Sequence, residues 1–158
     1  MPHETAPTGT ITTAQTIITS CGIRWQRDLI EWSPSPEITG KRLATDQVID
    51  FREQRGVFIL YDGRDVVFVD HALWRGLGVR LWEHTQDALA DRWDSFSWFG
   101  LLPVGASGEL GDLPEAYDSA LVASSLVSLL VEALEPKLAH RGSRDLADVE
   151  CFQMQSDA

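Results

Sequence analysis

Cysteine is scarce in this 158-residue chain: the two present, Cys21 and Cys151, lie far apart and match no metal-ligand spacing. That argues against a cysteine-built metal centre and a disulfide scaffold, so both thiols are read as reduced and buried. Basic charge is also short. Thirteen Lys and Arg stand against 24 Asp and Glu, for a net charge of -11 and a pI near 4.6. Such a field repels phosphate at long range, and the basic residues are spread along the chain rather than gathered into a groove. Nucleic acid is therefore a disfavoured partner. Long apolar runs are missing: none approaches the ~18 residues of a membrane span, and the N-terminus has no basic-then-apolar signal pattern. A soluble, cytoplasmic protein without membrane contact is expected. No internal repeat is visible.

What is present is an ordinary globular balance, 44% hydrophobic and 23% charged, in a length that suits one domain. Residues 1–15, MPHETAPTGTITTAQ, hold almost no large apolar side chains and read as a flexible tail. Residues 16–50 carry Ile, Leu and Trp before a connector, SPSPEITGKR, whose two prolines oppose helix and sheet. They read as an N-terminal extension packed on the core. Val57–Tyr61 and Val66–Val69 are β-branched and aromatic runs on either side of DGRD, a strong hairpin signal because Gly63 can supply the positive φ of a tight turn. Phe58 and Leu60 should share one face of the strand, and Val57, Ile59 and Tyr61 the other.

Leu77, Leu81, Ala88 and Leu89 recur at helical spacing, which predicts an amphipathic helix through GLGVRLWEHTQDALADRW with Arg80 and His84 one turn apart. SFSWFG predicts a third strand. A long helix is expected from Asp112 or Leu113, with Pro114 in its first turn, running until Pro136 stops it. ADVECFQM looks like a final strand. The fold class that follows is α+β: a small, mainly antiparallel sheet of three to four strands with flanking helices.

These motifs resemble the GIY-YIG nuclease superfamily over roughly residues 50–155. GVF at 56–58 sits where that family has Gly-Ile/Val-Tyr, and FVD at 68–70 sits where it has Tyr-Ile/Val-Gly. GVRLWEH at 78–84 is similar to its arginine helix, and EALEPKLAHR at 132–141 to the end of its last conserved helix. The resemblance implies a GIY-YIG-like domain over 51–155 and phosphodiester hydrolysis with one divalent metal on a glutamate, tyrosines near the attacking water and an arginine on the phosphate. The chemistry is coherent: Mg²⁺ wants a hard oxygen anion, the water needs a proton acceptor, and a guanidinium grips two phosphate oxygens.

Position by position, most of that machinery is missing. The two tyrosines fall on Phe58 and Phe68, which have no hydroxyl, and the glycine of the second motif falls on Asp70. The arginine is kept as Arg80, and the residue one turn on is His84. Counting back from Pro136 by the family's spacing puts the metal-binding glutamate on Val127, and the asparagine after the proline falls on Ala139. Glu132 is the nearest acid, yet five residues along a helix is a turn of about 140°, so it should point to solvent.

The expectation is a nuclease-like domain that has lost most of its catalytic residues and acts by binding, in a structural or regulatory role, with a protein as its partner. No cofactor is expected. One alternative is an active Mg²⁺-dependent DNA endonuclease with rearranged ligands, Glu132 or Asp70 taking the metal and Tyr61 or His84 acting as base. Another is an acidic protein-binding module of the inhibitor or immunity type. Blander readings stand beside these: Arg80 paired with Glu83 or Asp87, His84 capping a surface, Trp74 tucked in or reserved for a partner, and the apolar side of the last helix as core or as a partner stripe. Asp70 and His71 are neighbours on a strand and point to opposite faces, which speaks against their sharing a metal.

Overall fold

The computed structural model describes residues 16–138, 150 and 152–155. Its strands are β1 (Ser20–Gln26), β2 (Thr39–Lys41), β3 (Val48–Asp50), β4 (Gly56–Asp62), β5 (Asp65–Ala72) and β6 (Ser95–Gly100). Its α-helices are α1 (Leu77–Glu83) and α2 (Ser119–Leu134). The hairpin forms where the β-branched runs place it. Gly63 turns with φ 57°, and β4 and β5 pair with Val57 opposite His71, Phe58 opposite Asp70 and Leu60 opposite Phe68. β6 adds on the other side of β4, with Trp98 opposite Phe58 and Phe96 opposite Leu60. β1 then closes the sheet beyond β6, giving the antiparallel order β1-β6-β4-β5.

The fold is thus α+β, with a four-stranded antiparallel sheet, a separate two-stranded sheet of β2 and β3, and two α-helices. Gly56 starts β4 because a side chain has no room there: a Cβ would lie 1.9 Å from the Phe99 carbonyl oxygen. Next to it the buried Gln54 acts as a piece of backbone. Its Oε1 accepts from the Arg55 and Leu102 N–H groups, and its Nε2 donates to the Leu102 carbonyl and to Ser20 Oγ. One amide thereby ties the start of β4 to the ends of β1 and β6.

The central sheet separates two layers. Phe58 and Leu60 face an aromatic core with Phe96, Trp98, Trp93, Leu77 and Leu81, against which Trp25 packs edge-on. Val57, Ile59 and Tyr61 face α2 with Val69, Leu101 and Ala123. α1 and α2 therefore cover opposite faces.

Several expectations need correcting. Within the connector, β2 forms by pairing with β3, because the prolines sit at 34 and 36 and leave Thr39–Lys41 with free backbone donors. Asp50 steadies that corner. Burial alone would raise its carboxyl, but the Arg52 and Ile38 N–H groups and the Arg52 guanidinium outweigh this and hold it below the ordinary range. The first helix ends at Glu83 instead of running to residue 93, since the side chains of Thr85 and Asp87 bond to nearby backbone and compete with helical hydrogen bonds. Leu89 is nevertheless buried and Ala88 is exposed. The second helix begins at Ser119, not at 112 or 113, because Asp118 caps it by accepting from the Ala120 and Leu121 N–H groups. It ends at Leu134, with Glu135 left-handed and Pro136 next.

Residues 150 and 152–155 carry no strand, and Phe152 and Met154 are exposed; the rest of the expected final strand lies outside the described residues. The proposed tail, residues 1–15, also lies outside them, as does Cys151. Cys21 is a free thiol but an exposed one, because it sits on the sheet's edge strand. No helix among the described residues is long and apolar enough to cross a membrane.

Candidate functional site

The hairpin register and the short helix after it bring five of the singled-out residues to one place. Asp70 and Phe58 are directly opposed across β4 and β5, so both project toward the α1 side. Phe68, opposite Leu60, projects there too. α1 lies above them and lowers Arg80 onto β5.

Arg80 is the centre of a charge cluster. Its Nη2 donates to Asp70 Oδ2 at 2.6 Å, its Nη1 to Glu83 Oε2 at 2.7 Å and its Nε to the His71 carbonyl at 3.4 Å. Arg75 bonds the other Glu83 oxygen. Two guanidiniums thus meet two carboxylates, and the cluster is neutral. The Arg80 and Asp70 side chains are only 18% and 28% exposed, so this attraction is screened less than that of a surface pair.

His84 lies at the C-terminal cap of α1, one turn beyond Arg80, and is 5% exposed. Its ring sits between Phe58 at 5.7 Å and Phe68 at 5.2 Å. Nδ1 is 2.7 Å from Asp87 Oδ2, while Nε2 is buried with no hydrogen-bond partner among the described residues. Of the plainer readings, Arg80 paired with Glu83 holds and is extended by Asp70, whereas Asp87 goes to His84. His84 is an interior group here, not a surface cap, because the two phenyl rings enclose it.

Other candidates lie elsewhere. Val127 packs on the opposite face of the sheet, with Leu101 and Ile59 among its buried neighbours. Glu132 is exposed on α2, as its angle on the helix predicts. Ala139 lies outside the described residues. Tyr61 is turned to the α2 face, where its hydroxyl donates to Ser97 Oγ at 2.9 Å and the Arg24 guanidinium stacks 3.6 Å from its ring. It cannot serve as a base beside Arg80, because the sheet stands between them.

No group of three or more His, Cys, Asp or Glu side chains that could hold a metal occurs among the described residues. The two carboxylates nearest Arg80 are both bonded to guanidiniums, so the donor set does not fit a Mg²⁺ ion, which needs anionic oxygens of its own.

Beside the cluster is a small cavity of about 220 Å³ bordered by Asp70, His71, Leu73, Trp74, Arg75 and Arg80. Trp74 stands at its mouth, 81% exposed. A larger cleft of about 720 Å³ involves none of these residues; Trp25, Leu29, Trp32 and Arg52 are among its walls. It was not visible in the sequence, because its walls come from β1, from residues 29–32, from the proline-bearing connector and from Arg52, which only the fold brings together.

Sequence reasoning treated Asp70 as a lost glycine and missed that it is the acid gripping Arg80. The i, i+3 spacings of Arg80 with Glu83 and of His84 with Asp87 were the readable signal. The Asp70 contact joins residues ten apart on different elements and left no such trace. Comparison of the chain with protein-family models, with curated proteins and with solved structures gives no match.

Proposed function

We propose that this chain is a non-catalytic binding protein of the cytoplasm, built on a GIY-YIG-like hairpin and arginine helix and acting on a protein partner in a structural or regulatory role. One observation carries the reading: the Arg80 guanidinium, which would grip a phosphate in a working nuclease, is already held by Asp70 and Glu83. A phosphate would have to displace both carboxylates and approach their negative charge, in a chain of net charge -11. Phe58 and Phe68 add to this. Where a water would need a proton acceptor they offer phenyl edges, and they shut His84 into an apolar slot. Losing a general base costs about 10²- to 10⁴-fold in rate, and without a free carboxylate no cation is anchored to offset developing charge.

In this reading the residues perform static roles. Asp70 and Glu83 neutralise Arg80 and lock α1 onto β5. Asp87 fixes the orientation of His84, whose ring fills the space between the two phenyl groups. The exposed Trp74 and the neighbouring cavity supply the apolar contact on which a partner can settle.

The test is incubation of the pure full chain with Mg²⁺ or Mn²⁺ and supercoiled, linear, single-stranded or branched DNA. No cleavage is expected. Cleavage that disappears in Arg80→Ala would overturn the proposal.

A further inference from the structure

We infer that the larger cleft is a binding site for an organic cation, an ammonium or guanidinium group carried on an aliphatic stem. Its volume of about 720 Å³ is that of a small-molecule site, for which roughly 300–1,000 Å³ is usual. It shares no wall residue with the cavity beside Arg80, so it stands or falls independently of the reading above.

The aromatic walls are held still. Trp32 donates its Nε1–H to the Arg27 carbonyl at 3.0 Å and meets Trp93 edge-on, with ring centroids 5.7 Å apart. Trp25 is wedged edge-on among Phe51, Phe96 and Trp98, and Gly40 makes room for it: a Cβ there would lie 2.6 Å from the indole. Both indoles keep part of their surface open, and both border the cleft. Of the aromatic side chains indole attracts a cation best, and one already fixed loses little freedom on binding. Leu29, 83% exposed on the same rim, offers apolar surface to the stem.

Charge selects the sign of the ligand. Arg24, Glu31, Glu37 and Arg52 are the charged residues that border the cleft. The Arg24 guanidinium is taken up elsewhere: it stacks 3.6 Å from the Tyr61 ring, on the α2 side of the sheet, and donates to the Gly63 carbonyl. Arg52 is paired with both Asp50 and Glu37, while Glu31 has no partner among the described residues. At the cleft, then, one guanidinium stands against three carboxylates, in a chain whose net charge of -11 draws cations and turns anions away. A neutral apolar ligand would cover Glu31 and offer nothing for the water it loses. A cation pairs with Glu31 while its stem lies along Leu29 and the indoles. The same group occurs in a free aliphatic amine and on the lysine and arginine side chains of a peptide, and the test separates the two.

The isotope-labelled full chain is titrated with butylammonium, with neutral butanol and with an end-capped Gly-Arg-Gly peptide, and the indole N–H signals are followed by NMR. The two cations are expected to shift the signals of Trp25 and Trp32 saturably and to leave Trp74 in place, and butanol to shift none. Glu31→Gln should weaken binding about three- to ten-fold and Glu31→Lys should abolish it. Glu115→Gln, the same loss of charge outside the cleft, should change nothing. Trp32→Leu, with native circular dichroism, should weaken binding about five-fold. A peptide bound about ten-fold or more tightly than butylammonium assigns the cation to a protein partner, and a smaller difference assigns it to a small molecule. The inference is overturned by the absence of a saturable shift, by a shift of Trp74 alone, by butanol binding as well as butylammonium, or by binding indifferent to both Glu31→Gln and Trp32→Leu.

Discussion

The two faces of the central sheet carry different chemistry. On the α1 side, Phe58, Phe96, Trp93 and Trp98 build an aromatic core, and the residues at its rim, Arg80, Asp70, Glu83 and Arg75, are fastened to one another by charge. On the α2 side the packing is mainly aliphatic, with Tyr61 and Phe99 as its aromatic members, and the helix leaves leucines in solvent. At the first face the charged rim is paired internally, although His84 Nε2 and Trp98 Nε1 are buried without a hydrogen-bond partner among the described residues; at the second, Leu121 and Leu129 of α2 stay exposed. The difference shows that charge can be paired off at one rim of a sheet while apolar side chains stay exposed on the helix covering its other face.

The sharpest way to break this contrast is to truncate one residue on each side. Phe58 is fully buried, so Phe58→Ala should lose about 3–5 kcal/mol of stability in chemical denaturation. Val127→Ala, at a half-buried position under α2, should lose about 1 kcal/mol. Equal losses would mean that the two layers hold the fold equally and that the α2 side is as complete as the other.

A smaller effect tests whether the charge cluster is a real fastening. A double-mutant cycle with Arg80→Ala and Asp70→Ala should give a coupling of about 1.5 kcal/mol, the low end for a charge-assisted hydrogen bond since both side chains keep some contact with solvent. A coupling near zero would leave Arg80 free to do other work and would weaken the non-catalytic reading. The smallest effect is on the α2 side. Asp118→Ala removes the acceptor for two backbone N–H groups and should cost about 1 kcal/mol, with loss of helical signal at 222 nm on heating well before the aromatic near-ultraviolet signal changes. Simultaneous loss of both signals would instead make α2 and the aromatic face one cooperative unit.

How much was legible differed with the range of the interaction. The hairpin was readable because Gly63 and the alternating apolar residues on each side are local signals. The facing of Phe58 and Leu60 away from Val57, Ile59 and Tyr61 was readable for the same reason. Helix boundaries were less so: Thr85 and Asp87 ended α1 early, and Asp118 delayed α2 beyond Pro114, because capping side chains outweighed apolar periodicity. β2 was missed because the prolines before it drew attention from the three residues that pair with β3. Exposed Cys21 was misread because cysteine is usually buried, and an edge strand is the exception that one sequence does not reveal.

By itself, then, the sequence determined the α+β class, the hairpin with its two faces, the phenyl side chains at 58 and 68, and a charge balance unfavourable to phosphate. These follow from residue identity and from periodicities of two and 3.6, which need no knowledge of distant contacts. Only the tertiary structure decided that Asp70 reaches Arg80, that Phe58 and Phe68 enclose His84, that Tyr61 is turned away from both, and that α2 shows its leucines to solvent. Each of those depends on which elements cover which side of the sheet, and that choice rests on the packing of the whole chain.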